Sequence, residues 1–242
     1  PLLCLALLVL GGPVPLSAEG LLQADSVSLP ATADGQTSFV SVTFDEAFTS
    51  IPVVVLTPNR DNPDPAALRI RNVTNEGFEV VMVEPSSENG EGPAMNNISF
   101  VAAEEGLYQT DSGELLEVRH HLTNSASAKG GSDTWDTISL RQAFGATPSV
   151  TGMVQTDNNE TGAPPGDPSD PWVTTHNRNL GTSSFETSLG RAETGAGNLS
   201  VDERMGYILF EESFGSFTDD SASTVYWDAF NSPDTVDGSP TT

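Results

Sequence analysis

The sequence predicts an all-β chain of two tandem antiparallel β-sandwich modules, on three observations. Over short stretches apolar residues alternate with polar ones, the period of a strand with one buried face. Turn formers are frequent, with 22 Gly and 17 Pro among 242 residues, so the strands are short and often interrupted. Two long blocks of the chain also run in parallel with one another.

Residues 1–18 stand apart as a signal-peptide-like segment. Leu2 to Leu10 is an unbroken apolar run, and Gly11, Gly12, Pro13 and small residues up to Ala18 follow it. Such a run is shorter than the roughly 20 residues a membrane helix needs, so the mature chain is expected to have no stable membrane span. Cys4, the one cysteine, falls inside this segment. Removing the segment leaves neither a disulfide nor a thiolate metal site. An exported product, extracellular or at the cell surface, is the expectation.

Module 1 is placed at 30–112. Val40, Val42 and Phe44 alternate with Ser41 and Thr43, and Val53 to Leu56 is a continuous apolar run of the kind covered on both faces. Phe78, Val80 and Met82 then alternate until Pro85 stops the strand. A connector is placed at 113–130, with an extra strand from Leu115 to His120. Module 2 is placed at 131–218 and repeats the order. Phe44, Phe48 and Pro52 return 96 positions on as Leu140, Phe144 and Pro148. Arg71, Asn72 and Phe78 return 107 positions on as Arg178, Asn179 and Phe185. The difference locates an insertion in the polar loop from Asp157 to Pro171, and long surface loops tend to carry binding function. Units of this length are a domain duplication rather than a solenoid. Residues 219–242 read as a tail or the start of a further module.

Nine Lys plus Arg stand against 34 Asp plus Glu, a formal net charge of -25. A field of that sign repels phosphate backbones and argues against a nucleic-acid partner. It also favours cations. Two oxygen-rich loops follow equivalent strands: Asp61 and Asp64 in the first, Asp157, Asn159, Asp167 and Asp170 in the second. Calcium takes six to eight oxygen ligands, so these residues are candidate calcium ligands; turn-forming Asp and Asn is the other reading.

Trp172 closes the longer loop near His176 and Arg178. An aromatic face beside planar polar groups suits a glycan, which makes these three the candidate ligand-binding residues. Capping of a sheet edge by Trp172 is the alternative. Arg71 and Arg178, kept in register where arginine is scarce, point to a shared structural task such as salt bridging under the loop. His120 and His121 are adjacent and would face opposite ways on a strand. No nucleophile elbow or metalloprotease motif is present, and no catalytic residue is nominated.

The succession of Phe48 to Pro52, a Val-rich strand, an Asp/Asn/Pro loop, Arg71-Asn72-Val73-Thr74 and Gly77-Phe78-Glu79-Val80 resembles the repeated segment of MshQ-like proteins, associated with biogenesis of a mannose-sensitive haemagglutinin pilus. More distantly it is similar to the H-type lectin domain, where an Asn-Val-Thr, Gly-Phe pattern precedes a core strand. The resemblance implies a bacterial exported protein, an H-type-lectin-like sandwich, and attachment to glycans or matrix. A non-enzymatic adhesion or assembly protein with glycans or other surface or filament subunits as partners is the leading expectation. A structural subunit of an extracellular filament or surface layer, or a secreted glycan-acting hydrolase, are the alternatives.

Overall fold

The computed structural model describes residues 14–15, 22–31, 39–58, 67–83, 95–109, 113–127, 133–160, 173–191, 199–211, 216–218 and 224–226. Every regular element among them is a strand. In chain order these are β1 (Val14–Pro15), β2 (Leu22–Leu29), β3 (Val40–Thr43), β4 (Val53–Thr57), β5 (Ala67–Arg71), β6 (Gly77–Val83), β7 (Met95–Ala103), β8 (Gly106–Gln109) and β9 (Leu115–Thr123). They continue with β10 (Ala126–Ser127), β11 (Asp136–Ser139), β12 (Ser149–Val154), β13 (Val173–Arg178), β14 (Ser184–Arg191), β15 (Glu203–Phe210), β16 (Ser216–Thr218) and β17 (Thr224–Tyr226).

The architecture is all-β and built from several small, mainly antiparallel sheets. A first strand set holds the sheets β2-β7-β4 and β3-β6-β5. A second set holds β9-β15-β12, and β14 flanked by β11 and β13. The two sets share one pairing scheme. β8 extends the second set at the free edge of β9, β1 runs parallel to β8, and β10 runs parallel to β14 just beyond β11. β16 and β17 pair only with each other.

β2 and β9 occupy matching places as partners of β7 and β15. Both lie outside the stretches 30–112 and 131–218, so pairing draws in residues that the alternation alone left out. The extra strand expected at Leu115 to His120 is present as β9 and runs on to Thr123.

The repeat holds at the level of single hydrogen bonds. Phe44 N donates to Glu76 O (2.9 Å) and Phe48 N to Asn75 O (2.9 Å); Leu140 N donates to Ser183 O (2.9 Å) and Phe144 N to Thr182 O (2.8 Å). These bonds hold the phenylalanine turn against the β5–β6 or β13–β14 turn, and so point a ring of each turn inward.

Each set has an apolar cluster drawn from both of its sheets. The first gathers Phe44, Phe48, Val54, Ile70, Phe78, Val80, Ile98 and Phe100, with Phe78 and Phe100 edge to face at 5.3 Å. The second gathers Ile138, Phe144, Val154, Phe185, Leu189, Met205, Tyr207 and Leu209, with Phe185 and Tyr207 edge to face at 5.2 Å. Phe78 and Phe185 therefore do the same work in matching surroundings. Fully burying such a side chain stabilises by about 1.5–3 kcal/mol.

A third cluster joins the sets. Val53, Ala103, Tyr108, Leu116, Val118 and Ile208 pack together, with Val55 and Phe210 at the margin. β4 thus sends Val54 and Leu56 to one cluster and Val53 and Val55 to another. That two-sided burial is why Val53 to Leu56 reads as a continuous apolar run.

Candidate functional site

Each strand set carries the same polar clasp on the outer face of one sheet. In the first, Arg71 and Glu79 are cross-strand partners on β5 and β6, and Arg71 Nε donates to Glu79 Oε2 at 2.7 Å. Asn72, the next residue, has a φ of 49°, a left-handed conformation that asparagine tolerates better than most residues. The turn brings its Nδ2 to the same carboxylate oxygen at 3.1 Å. The Arg71 guanidinium lies 3.6 Å from the centre of the Phe39 ring.

In the second set Arg178 and Glu186 are partners on β13 and β14, bonded at 2.7 Å. Asn179, with φ 51°, reaches Glu186 Oε2 at 2.6 Å. The Arg178 guanidinium sits 4.0 Å over Trp135. Hydrogen bonds from Arg178 and then Asn179 hold the Glu186 carboxyl below the usual carboxylate range.

The two clasps differ in what lies on them. Over the first stands the loop that follows β12. Its Asp157 carboxylate is 3.4 Å from Arg71 Nη1, and its Glu160 carboxylate accepts Arg69 Nε at 2.6 Å and lies 2.5 Å from Nη2. Arg69 Nη1 donates to Val173 O at 2.8 Å, and Val173 N donates to Glu160 Oε1 at 2.7 Å. Arg69 and Glu160 are buried, with side chains only 5% and 3% exposed.

The loop is held in shape from beneath by Glu203, fully buried on β15. Its carboxylate accepts Asn159 N (2.8 Å), Asn159 Nδ2 (2.7 Å), Asn158 N (3.2 Å) and the Thr156 hydroxyl. Asn159 Oδ1 accepts Ser200 N (2.9 Å) and Val201 N (3.1 Å).

Over the second clasp no such loop stands among the described residues. The Arg178 side chain is 46% exposed. The place matching Arg69, two residues before the clasp arginine, belongs to His176, which is exposed. His176 and Arg178 project from the same face of β13, because alternate residues of a strand do. His176 Nδ1 lies 2.9 Å from Ser127 Oγ, and its ring rests over Gly190, where a methyl group would collide with it. Trp135 Nε1 is buried and meets no acceptor among the described residues.

Of the ligand-binding residues expected from sequence, His176 and Arg178 share this face, while Trp172 lies outside the described residues. Asp61, Asp64, Asp167 and Asp170 also lie outside them. Asp157 faces a guanidinium, and the Asn159 oxygen is taken by two backbone amides. Among the described residues no group of three or more His, Cys, Asp or Glu could hold a metal ion.

Two other arrangements bear on chemistry. His121 Nε2 and Ser125 Oγ both bond Asp136, at 2.8 and 2.7 Å, so the imidazole is not placed to take the serine proton. Burial would raise the Asp136 carboxyl, but hydrogen bonds from Thr123, His121 and Ser125 outweigh it and hold the group low. His120 faces the opposite way, its Nε2 2.8 Å from Gln155 Oε1. A depression of about 210 Å³ lined by Gln23, Asp25, Thr43, Asp45 and Phe100 presents two exposed carboxylates.

Sequence reasoning passed over Trp135, Glu186, Arg69 and Glu160 as a working group. The signal for the first two lay in the repeat itself. Phe39 and Trp135 are 96 positions apart, and Glu79 and Glu186 are 107 apart, the same intervals that relate the strands. Among the described residues no helix is long and apolar enough to cross a membrane. No family model matches the chain, and no curated protein or solved structure matches it either.

Proposed function

We propose that the chain is a pair of tandem antiparallel β-sandwich units from a secreted or cell-surface protein, serving adhesion or assembly rather than catalysis. One observation carries this reading: the clasp is duplicated, but among the described residues only its first copy is covered. The second presents a guanidinium, an imidazole and a carboxylate on a sheet, with the guanidinium backed by the half-buried Trp135 ring. Rigid elements hold a binding constellation better than loops do. The resemblance to MshQ-like and H-type lectin segments, and the apolar start of the sequence, fit export and attachment.

The carbohydrate form of this reading predicts that a glycan array binds the wild-type chain and that Arg178→Gln removes the signal. Running the array with and without calcium separates a role for the Asp-rich loops from one for the clasp. Silence under both conditions would refute the carbohydrate form. Assembly into a filament or layer is the second reading, favoured by β2, whose outer edge pairs with no strand among the described residues. A species that stays monomeric at high concentration would count against it.

A further inference from the structure

We infer that the face formed by half-buried Trp135 and exposed His176 and Arg178 takes an acidic β-turn of a partner protein, with two carboxylates three residues apart. This rests on the binding role proposed above and names the ligand class. The chain supplies the precedent, because the matching face of its first strand set already holds such a turn.

That occupant has a definite form. Glu160 N donates to Asp157 O at 3.0 Å, which closes a four-residue turn with a carboxylate at each end. The ends of such a turn lie less than about 7 Å apart. Residues two apart on one strand face are separated by roughly 6.5–7 Å. The turn therefore presents Asp157 to Arg71 and Glu160 to Arg69 with little distortion. His176 and Arg178 repeat that spacing on β13.

The open site also repeats the orientation of the arginine. In both clasps the glutamate takes Nε, which leaves the terminal nitrogens for a second acceptor. Asp157 is that acceptor for Arg71. Among the described residues Arg178 has none. A single acidic sugar brings one carboxylate and can answer only one of the two positions. Each carboxylate brought to a chain of net charge -25 meets long-range repulsion and needs a contact of its own to answer it. A two-point turn gains both contacts, and the planar guanidinium stacked on Trp135 is already oriented for one of them.

The probe is a dye-labelled, backbone-cyclised peptide with the sequence Thr-Asp-Asn-Asn-Glu-Thr, titrated into the full chain and followed by fluorescence anisotropy. Its control carries Asn and Gln in place of the two acids. Saturable binding of the acidic peptide is expected, with no binding of the control. Arg178→Gln should weaken it at least about tenfold. His176→Arg, which rebuilds the Arg69 position, should tighten it several-fold. Should Arg178→Gln fail to fold, the gain of binding by His176→Arg keeps the test sound.

Equal binding of the control peptide, binding unchanged by Arg178→Gln, or no binding to wild type and His176→Arg alike would overturn the inference. An array signal from acidic glycans that Arg178→Gln abolishes, with no peptide binding, would also overturn it while leaving the adhesion reading in place.

Discussion

Replacing Arg69 with methionine strands a buried carboxylate. Glu160 is 3% exposed and loses a charge-assisted hydrogen bond at 2.6 Å and an ion-pair contact at 2.5 Å, while keeping, among the described residues, the bond from Val173 N. Removing one member of a buried pair costs about 3–5 kcal/mol, because the remaining charge has neither water nor a partner. The Val173 carbonyl loses its guanidinium donor as well, adding about 1 kcal/mol. Glu160→Leu should cost a similar amount by leaving the guanidinium buried. The double variant should fall well short of the sum, since an apolar pair of similar volume removes the uncompensated charge. A coupling of about 2 kcal/mol or more is expected. Urea unfolding of the full chain, followed by tryptophan fluorescence, measures all four proteins, and the midpoints are compared at a common slope. Single variants within about 0.5 kcal/mol of wild type, or strictly additive effects, would refute the claim that this pair is dry and coupled.

Glu203→Ala should cost on the order of 3 kcal/mol and speed hydrogen exchange at the Asn158 and Asn159 amides, since the carboxylate that orders the loop is gone; unchanged exchange there would show the loop is held by other means. Asp136 has a lowered carboxyl pKa in the fold, so its stabilisation is present above the ordinary carboxylate pKa and is lost as pH falls through the folded value. Asp136→Asn should therefore flatten the acid limb of the stability curve, and an identical limb would contradict the assignment. Burial, reinforced by Glu104, pushes the Tyr108 hydroxyl up to about 12. A raised pKa stabilises below the ordinary phenol value of about 10 and loses that contribution as pH climbs towards the folded value. Tyr108→Phe should accordingly be less stable than wild type at neutral pH, having lost the bond to Glu104 O, yet lose less on going to high pH.

The inward strands were legible because their apolar residues alternate without interruption, as in Phe78, Val80 and Met82. β2 and β9 were harder to place for opposite reasons. β2 is a half-exposed edge strand whose middle carries the polar residues Asp25 and Ser26. β9 sets Glu117, fully buried, on a strand otherwise read from its leucines and valine. That carboxylate is satisfied by Arg141 N at 2.9 Å, a bond no local pattern reveals. The clasp arginines were legible as a repeated pair, and both bridge a cross-strand glutamate, although among the described residues only Arg71 does so under a loop. The loop over Arg71 was not legible, since Asp157 and Arg71 are 86 residues apart and belong to different strand sets. A loop rich in carboxylates reads the same to a calcium ion and to a guanidinium, and only the fold says which is near. Arg69 escaped because its counterpart is His176, so a search for matched residues discards the position where the two copies diverge.

Asn159 also bears on how the protein can be made. With Glu160 and Thr161 it forms the acceptor triplet for N-linked sugar. Its carboxamide nitrogen donates to Val201 O and Glu203 Oε1, both at 2.7 Å, and an attached glycan would replace one of those hydrogens with bulk. A eukaryotic secretory host that modified the nascent chain there would keep the turn from settling on Glu203 and would leave Arg69 uncovered. Production in a bacterial host without that machinery preserves the seat.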